Sequence, residues 1–239
     1  MTAAARLETA AAADPRLIVP LDLPDLDQAR AMVEALGEAV SFYKVGLELF
    51  ASGGMTLARD LKAQGKQVFL DWKLHDIGTT VQRSAAVLAD SGCDFLTVHG
   101  EPQVMAAAVR GRGRSDLKIL AVTVLTSLSD EDLLEMGFTE SARSLVERRI
   151  HHAVAAGCDG VIASPHEAQL ARAIGGPDFL VVTPGVRPDW AARNDQARAA
   201  TPAQALSAGA SHIVCGRPIT GANDPQAAAL RIVAEMAGA

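Results

Sequence analysis

Short apolar runs rich in β-branched residues alternate with longer stretches of helical periodicity from Arg16 to the C-terminus. The runs Leu17–Leu21, Phe42–Gly46, Val68–Trp72, Phe95–His99, Ile119–Val124, Gly160–Ala163, Leu180–Thr183 and His212–Gly216 predict eight strands. Most are nearly continuous in apolar residues, as expected where both faces of a parallel strand are covered. Helical spacing predicts helices over Leu26–Leu36, Met55–Gln64, Ile77–Asp90, Gln103–Arg110, Ala142–Ala156, Glu167–Ile174, Pro202–Ser207 and Pro225–Met236. Asp224 before Pro225 supplies an N-cap followed by a first-turn proline. Three similar tetrapeptides, Ser91-Gly92-Cys93-Asp94, Ala156-Gly157-Cys158-Asp159 and Ala208-Gly209-Ala210-Ser211, precede strands, and their glycines are suited to a left-handed helix stop.

Eight strand–helix units in about 225 residues predict a (β/α)8 barrel of α/β class, a TIM barrel, as a single domain over residues 14–239. An open doubly wound sheet is the rival, but no G-x-G-x-x-G or Walker loop follows any strand. Met1–Ala13 is Ala-rich but interrupted by Arg6 and Glu8; it lacks the apolar core of a secretory signal and reads as a flexible tail. Pro184–Ala200 is the longest non-periodic connection, a candidate lid or binding loop.

Composition narrows the function classes. Of 239 residues, 49% are hydrophobic and 21% charged, which suits a globular protein and excludes disorder for most of the chain. With 22 Lys+Arg against 28 Asp+Glu, the net charge of -6 leaves no broad basic surface for a phosphate backbone, so no nucleic-acid partner is expected. The most apolar stretch, Ile119–Leu128, is far shorter than the ~20 residues that span a bilayer, so no membrane role is expected and the location reads as cytoplasmic. Cys93, Cys158 and Cys215 form no C-x-x-C pair and read as reduced core residues.

In a barrel of this kind chemistry comes from the carboxyl ends of strands and the loops that follow. Polar residues collect there: Asp22, Lys44, Asp71, Lys73, His99, Thr126, Ser127, Arg187, Gln196, Gly216 and Arg217. The chain has only five lysines, and two of them, Lys44 and Lys73, fall at strand ends facing the site. Lys62 and Lys66 read as solvated helix-end charges, and Lys118 enters its strand from the opposite side. Residues two apart on a strand share a face, so Asp71 and Lys73 both point to the mouth, and Lys44 on the next strand completes a plus, minus, plus row. A buried charge cluster is weak evidence for stability, so the row is read as functional. Gly216-Arg217-Pro218-Ile219 suits phosphate capture, and Pro184-Gly185-Val186-Arg187-Pro188 offers a second arginine on a turn. His99 and Glu101 with Asp71 and His75 could be assembled into a metal site, but Lys73 would sit among the ligands and repel a cation. No metal is assigned.

Taken together, Asp71-x-Lys73-x-x-Asp76, Lys44-Val45-Gly46, Leu125-Thr126-Ser127, Pro184-Gly185-Val186-Arg187-Pro188, Asn194-Asp195-Gln196 and Gly216-Arg217-Pro218-Ile219 resemble the orotidine 5′-phosphate decarboxylase family, in order across nearly the whole chain from Leu17. The resemblance implies decarboxylation of orotidine 5′-phosphate to uridine 5′-phosphate without a cofactor. It implies Lys73 as proton donor to C6, Asp71 beside the departing carboxylate, and Lys44 and Asp76 extending the charge row. Asp22 and Lys44 would hold the ribose hydroxyls, and Thr126 and Ser127 would meet the base. Arg187, Gln196, Gly216 and Arg217 would hold the phosphate or bridge it to the base, and Pro184 would be a further substrate-binding residue. It further implies a homodimer in which Asp76 and Thr80 reach into the neighbouring subunit's site. The alternatives are a metal-dependent sugar-phosphate lyase or epimerase of the same barrel family, and a catalytically dead nucleotide-binding barrel.

Overall fold

The eight apolar runs form strands that pair in parallel with their chain neighbours: β1 (Leu17–Pro20), β2 (Phe42–Val45), β3 (Gln67–Leu74), β4 (Phe95–His99), β5 (Lys118–Val122), β6 (Gly160–Ile162), β7 (Leu180–Thr183) and β8 (His212–Val214). β8 pairs back onto β1 through Leu17↔Ile213 and Ile18↔Val214, which closes the barrel. The computed structural model describes residues 13–191 and 200–238. The expected tail therefore lies outside the described residues up to Ala12, as do residues 192–199 of the connection after β7, Gln196 among them.

Helices surround the barrel: α1 (Leu26–Leu36), α2 (Leu47–Phe50), α3 (Gly54–Ala63), α4 (Gly78–Ala89), α5 (Pro102–Arg112), α6 (Asp130–Glu135), α7 (Ala142–Ala156), α8 (Ala168–Gly175), α9 (Pro202–Ser207), α10 (Arg217–Thr220) and α11 (Pro225–Met236). Among the described residues no helix is long and apolar enough to cross a membrane. Three helices, α2, α6 and α10, were not anticipated; with four to six residues each, they are too short to display a 3.6-residue period. α6 is instead marked by a capping box, Ser129 and Asp132 bonding each other's backbone. The anticipated stops hold: Gly92, Gly157 and Gly209 have φ of 74°, 78° and 106°, and the Asp224 side chain accepts from Ala227 N.

The period-2 alternation of the strands sorts side chains into two layers. Leu17, Val19, Tyr43, Val45, Val68, Leu70, Leu96, Val98, Ile119, Ala121, Val161 and Val181 pack outward beneath the helices. Ile18, Phe42, Phe69, Phe95, Leu120, Val182 and Val214 point inward and fill the lumen. Phe42 and Phe95 meet edge to face at 5.0 Å between centroids, and His212 packs on both rings. This aromatic plug floors the lumen, so each next inward position along β2, β3 and β4 stands on it: Lys44 above Phe42, Asp71 above Phe69, Thr97 above Phe95.

One expectation is corrected at the other end of the barrel. Lys66 is not a solvated charge but is only 9% exposed. Its ammonium donates to Gly37 O at 3.2 Å and Val40 O at 3.3 Å and meets Glu38 at 3.3 Å. The 3-10 turn Gly37–Ala39 leaves carbonyls without helical partners, and the lysine supplies them. Lys62 likewise pairs with Asp94 at 2.7 Å.

Candidate active site

The charge row predicted from the strand ends exists, with one more carboxylate. Lys44 Nζ lies 3.0 Å from Asp22 Oδ1 and 3.3 Å from Asp71 Oδ2, and Lys73 Nζ lies 2.9 Å from Asp71 Oδ1. Minus and plus thus alternate from Asp22 to Lys73 across β1, β2 and β3. β1 ends at Pro20, so Asp22 reaches the row from the following loop. Gly46 is needed beside it, because a Cβ there would stand 2.4 Å from Asp22 Oδ1.

β3 is not the regular strand the sequence suggested. Leu70 pairs with Leu96 and Leu74 with Val98, so the three residues 71–73 oppose the single residue Thr97. This bulge places Lys73 at φ 47°, the only described non-glycine residue with a positive φ. It is held there by Lys73 N donating to Thr97 Oγ1 at 3.0 Å. Trp72 turns outward onto Phe50, leaving Asp71 and Lys73 together at the mouth.

Thr97 escaped the sequence reading. It is fully buried, and its hydroxyl donates to Asp71 Oδ1 at 2.9 Å. Its signal was present: a polar residue at the inward position two beyond Phe95, inside an otherwise apolar strand. Burial by itself would push the Asp71 carboxyl up; the Lys44 and Lys73 ammonium groups, with hydrogen bonds from Lys73 and Thr97, outweigh it and hold the group below the usual carboxylate range.

These groups open on a cleft of about 200 Å3 lined by Lys44, Asp71, Lys73, Thr126 and Pro184 over an apolar wall that includes Phe69, Val122, Ile162 and Val214. Of the remaining predicted residues, Ser127 is exposed next to Thr126 on the loop after β5. Gly216 is the N-cap of α10 and Arg217 its first residue; neither is in the lining of the cleft, to which β8 contributes Val214. Arg187 is 7% exposed, donates through Nη1 to Val186 O, and its backbone N–H reaches Ala200 O at 2.9 Å. Asp76 and Thr80 do not join the row within one chain: both are exposed, on the turn after β3 and the first turn of α4, and Asp76 accepts from Ile77 N at 2.6 Å.

The metal grouping of Asp71 with His75, His99 and Glu101, set aside on the sequence because of Lys73, does not form. Both Asp71 oxygens face ammonium groups, which would repel a cation; His75, His99 and Glu101 gather without it. A larger cleft of about 570 Å3 between α1 and α3 pairs Arg30 with Asp60 at 3.0 Å and Lys66 with Glu38 at 3.3 Å, with Glu34 also in its lining. The three cysteines are buried and free, and burial pushes the Cys158 and Cys215 thiols up to about 12, as for inert core residues.

Comparison with known proteins agrees with this architecture. The family model described as "Orotidine 5'-phosphate decarboxylase / HUMPS family" matches residues 15–232. An orotidine 5'-phosphate decarboxylase of Caulobacter sp. (strain K31) is 74% identical over 226 residues, 95% of this chain and 99% of that protein. One from Rhodopseudomonas palustris (strain ATCC BAA-98 / CGA009) is 56% identical over 94% of each chain. The crystal structure of orotidine 5'-phosphate decarboxylase from Lactobacillus acidophilus superposes with a TM-score of 0.82 at 40% identity, covering 93% of this chain and 99% of that one. The chain belongs to the orotidine 5′-phosphate decarboxylase / HUMPS family.

Proposed function

We propose that this chain decarboxylates orotidine 5′-phosphate to uridine 5′-phosphate, the last step of de novo UMP synthesis, and that Lys73 delivers the proton to C6. Family membership carries the reaction. The observation that carries the residue assignment is Asp71 clamped between two ammonium groups at 2.9 and 3.3 Å in the wall of the cleft.

The C6–carboxylate bond breaks, carbon dioxide leaves, and the electron pair stays on C6. No adjacent carbonyl delocalises that pair in the usual way, so the site stabilises it with a fixed cation. The Lys73 ammonium does so electrostatically, then gives its proton to C6 and is reprotonated from solvent. Preorganised charge of this kind is commonly the largest catalytic term, and here it works toward the upper part of the ~8–23 kcal/mol by which enzymes lower barriers. Asp71, kept ionised, stands beside the substrate carboxylate and holds Lys73 in place. Lys44 and Asp22 take the ribose hydroxyls, and Thr126 and Ser127 meet the base near Pro184. Arg187, Gln196, Gly216 and Arg217 form the phosphate end. Binding energy from that remote phosphate offsets the cost of ordering the reacting end. No cofactor takes part.

The working unit is a homodimer in the cytoplasm, Asp76 and Thr80 of each chain completing the other's site. Exposure of Ile77 at 74% next to Asp76 gives that turn an apolar surface for the second copy and supports this reading. Adding orotidine 5′-phosphate to EDTA-treated protein and following pyrimidine absorbance tests the function. Sustained loss of absorbance is expected; none, or turnover only after a divalent metal is restored, would overturn it in favour of metal-dependent sugar-phosphate chemistry.

A further inference from the structure

Beside the charge row, three side chains that the decarboxylation does not use converge from three places: His75 on the turn after β3, His99 at the end of β4, and Glu101 before α5. One ligand atom from each, an imidazole nitrogen of either histidine and a carboxylate oxygen, lies within 4.8 Å of the others. His75 Nε2 stands 3.6 Å from Glu101 Oε2, and the two imidazoles stack at 4.7 Å between centroids.

We propose that His75, His99 and Glu101 form a binding site for a divalent transition metal, Zn2+ foremost, with water as the fourth ligand. Zinc bonds of about 2.0–2.1 Å in tetrahedral geometry place ligand atoms ~3.3 Å apart. The His75–Glu101 edge already has nearly that length, and the remaining edges need close by no more than ~1.5 Å to reach it.

The carboxylate is prepared for the role. Its Oε1 accepts from Arg149 Nη2 at 3.1 Å, and Arg149 is itself fixed by donating to the Thr123 carbonyl. Its Oε2 is buried with no hydrogen-bond partner. Leaving a buried acceptor unsatisfied is costly, and a cation removes that cost. Ligating carboxylates are characteristically oriented by such an outer partner. Gly100 lets Arg149 approach, since a Cβ there would stand 2.9 Å from Arg149 Cδ. Within one chain the His75 side chain is 56% exposed.

Two imidazoles and one carboxylate select zinc over magnesium, which asks for an octahedron of oxygen ligands. The positive charges nearby are already engaged, Arg149 with Glu101 and Lys73 with Asp71, but they weaken attraction for a cation and set the affinity in the micromolar range rather than that of a structural zinc.

The test is an equilibrium titration of the EDTA-treated protein, in its native assembly, with Zn2+ against a chromophoric zinc indicator. One zinc per chain at micromolar or tighter affinity is expected, with no comparable binding of Mg2+. Affinity should fall at least tenfold in His75→Ala and in Glu101→Gln, and stay unchanged in His166→Ala, where an exposed histidine outside the cluster is removed. Absence of micromolar binding, or the same affinity in His75→Ala as in the parent, would overturn the proposal. His75 lies outside the core of the chain, so its removal tests the site even where Glu101→Gln fails to fold. No readout depends on turnover.

Discussion

The Thr97 hydroxyl donates to Asp71 Oδ1 at 2.9 Å and accepts the backbone N–H of Lys73 at 3.0 Å. One buried oxygen therefore fixes both the carboxylate and the strained backbone of the residue that follows it by two. The bond to the Asp71 carboxylate, being to a charged group, contributes about 1.5–3 kcal/mol. Thr97→Val keeps the shape and removes both, so kcat/KM should fall by about ten- to a hundredfold with the fold intact. Thr97 acts through Asp71 and Lys73, so Thr97→Ser, which restores the hydroxyl, should recover most of the loss. Steady-state kinetics of the two variants, alongside thermal unfolding, checks this.

The positive φ of Lys73 separates its chemical role from its backbone cost. Lys73→Ala should abolish product formation while nucleotide binding, measured calorimetrically with uridine 5′-phosphate, survives. Lys73→Gly should be equally inactive but more stable than Lys73→Ala by about 1–2 kcal/mol, because only glycine occupies the left-handed region without a Cβ penalty. Equal denaturation midpoints for the two variants would show that the bulge relaxes when the lysine is gone.

The barrel and most of its site were legible because the inward positions of β2 and β3 each run from an aromatic to a charge, Phe42 to Lys44 and Phe69 to Asp71. An isolated polar residue at the end of an apolar run has few structural reasons to be there. Thr97 follows the same rule on β4 but was hidden, since threonine is an ordinary strand residue and carries no charge to betray it. The bulge was invisible, because strand alternation assumes one-to-one pairing and nothing in Asp71-Trp72-Lys73 announces two extra residues. Lys66 was misread for a related reason: its partners are the carbonyls of Gly37 and Val40, and backbone acceptors leave no mark in a side-chain pattern. His75, His99 and Glu101 were grouped correctly but with Asp71 added; which way Asp71 faces depends on Lys44, contributed by a different strand.

His212 makes stability depend on pH independently of catalysis. It sits in the aromatic plug against Phe42 and Phe95, and burial is the main cause that pushes its imidazole down to about 4, with Asp14 pulling the other way. The unfolded chain takes up a proton on this residue near the ordinary value of ~6.5, which the folded chain refuses until about 4. Its contribution is therefore complete above ~6.5, declines as pH falls through that window, and levels off below it, by up to roughly 3 kcal/mol in total. His212→Phe keeps an aromatic ring in the plug and removes the titration. Urea unfolding from pH 7 to pH 4 should show a shallower loss of stability in that variant than in the parent, whatever its absolute stability.

Assignment of Asp76 to a neighbouring subunit's cleft makes a quantitative prediction about mixtures. Asp76 is exposed, outside the cleft of its own chain, and separated from Lys73 by the β3–α4 turn. If Lys73 acts in one chain's site and Asp76 in the other's, Lys73→Ala and Asp76→Ala homodimers are each nearly inactive. A heterodimer of the two has one site lacking both groups and one site lacking neither. Equal mixing with free exchange makes half the dimers heterodimers, each with one intact site of two, so activity should recover to about a quarter of the parent's by the symmetry of the pairing. The check is to dissociate, mix and reassociate the two variants and assay against each alone. Recovery near a quarter requires both the dimer and the sharing. Failure to recover, in a mixture shown to exchange subunits, would place Asp76 and Lys73 in the same site or remove Asp76 from the chemistry.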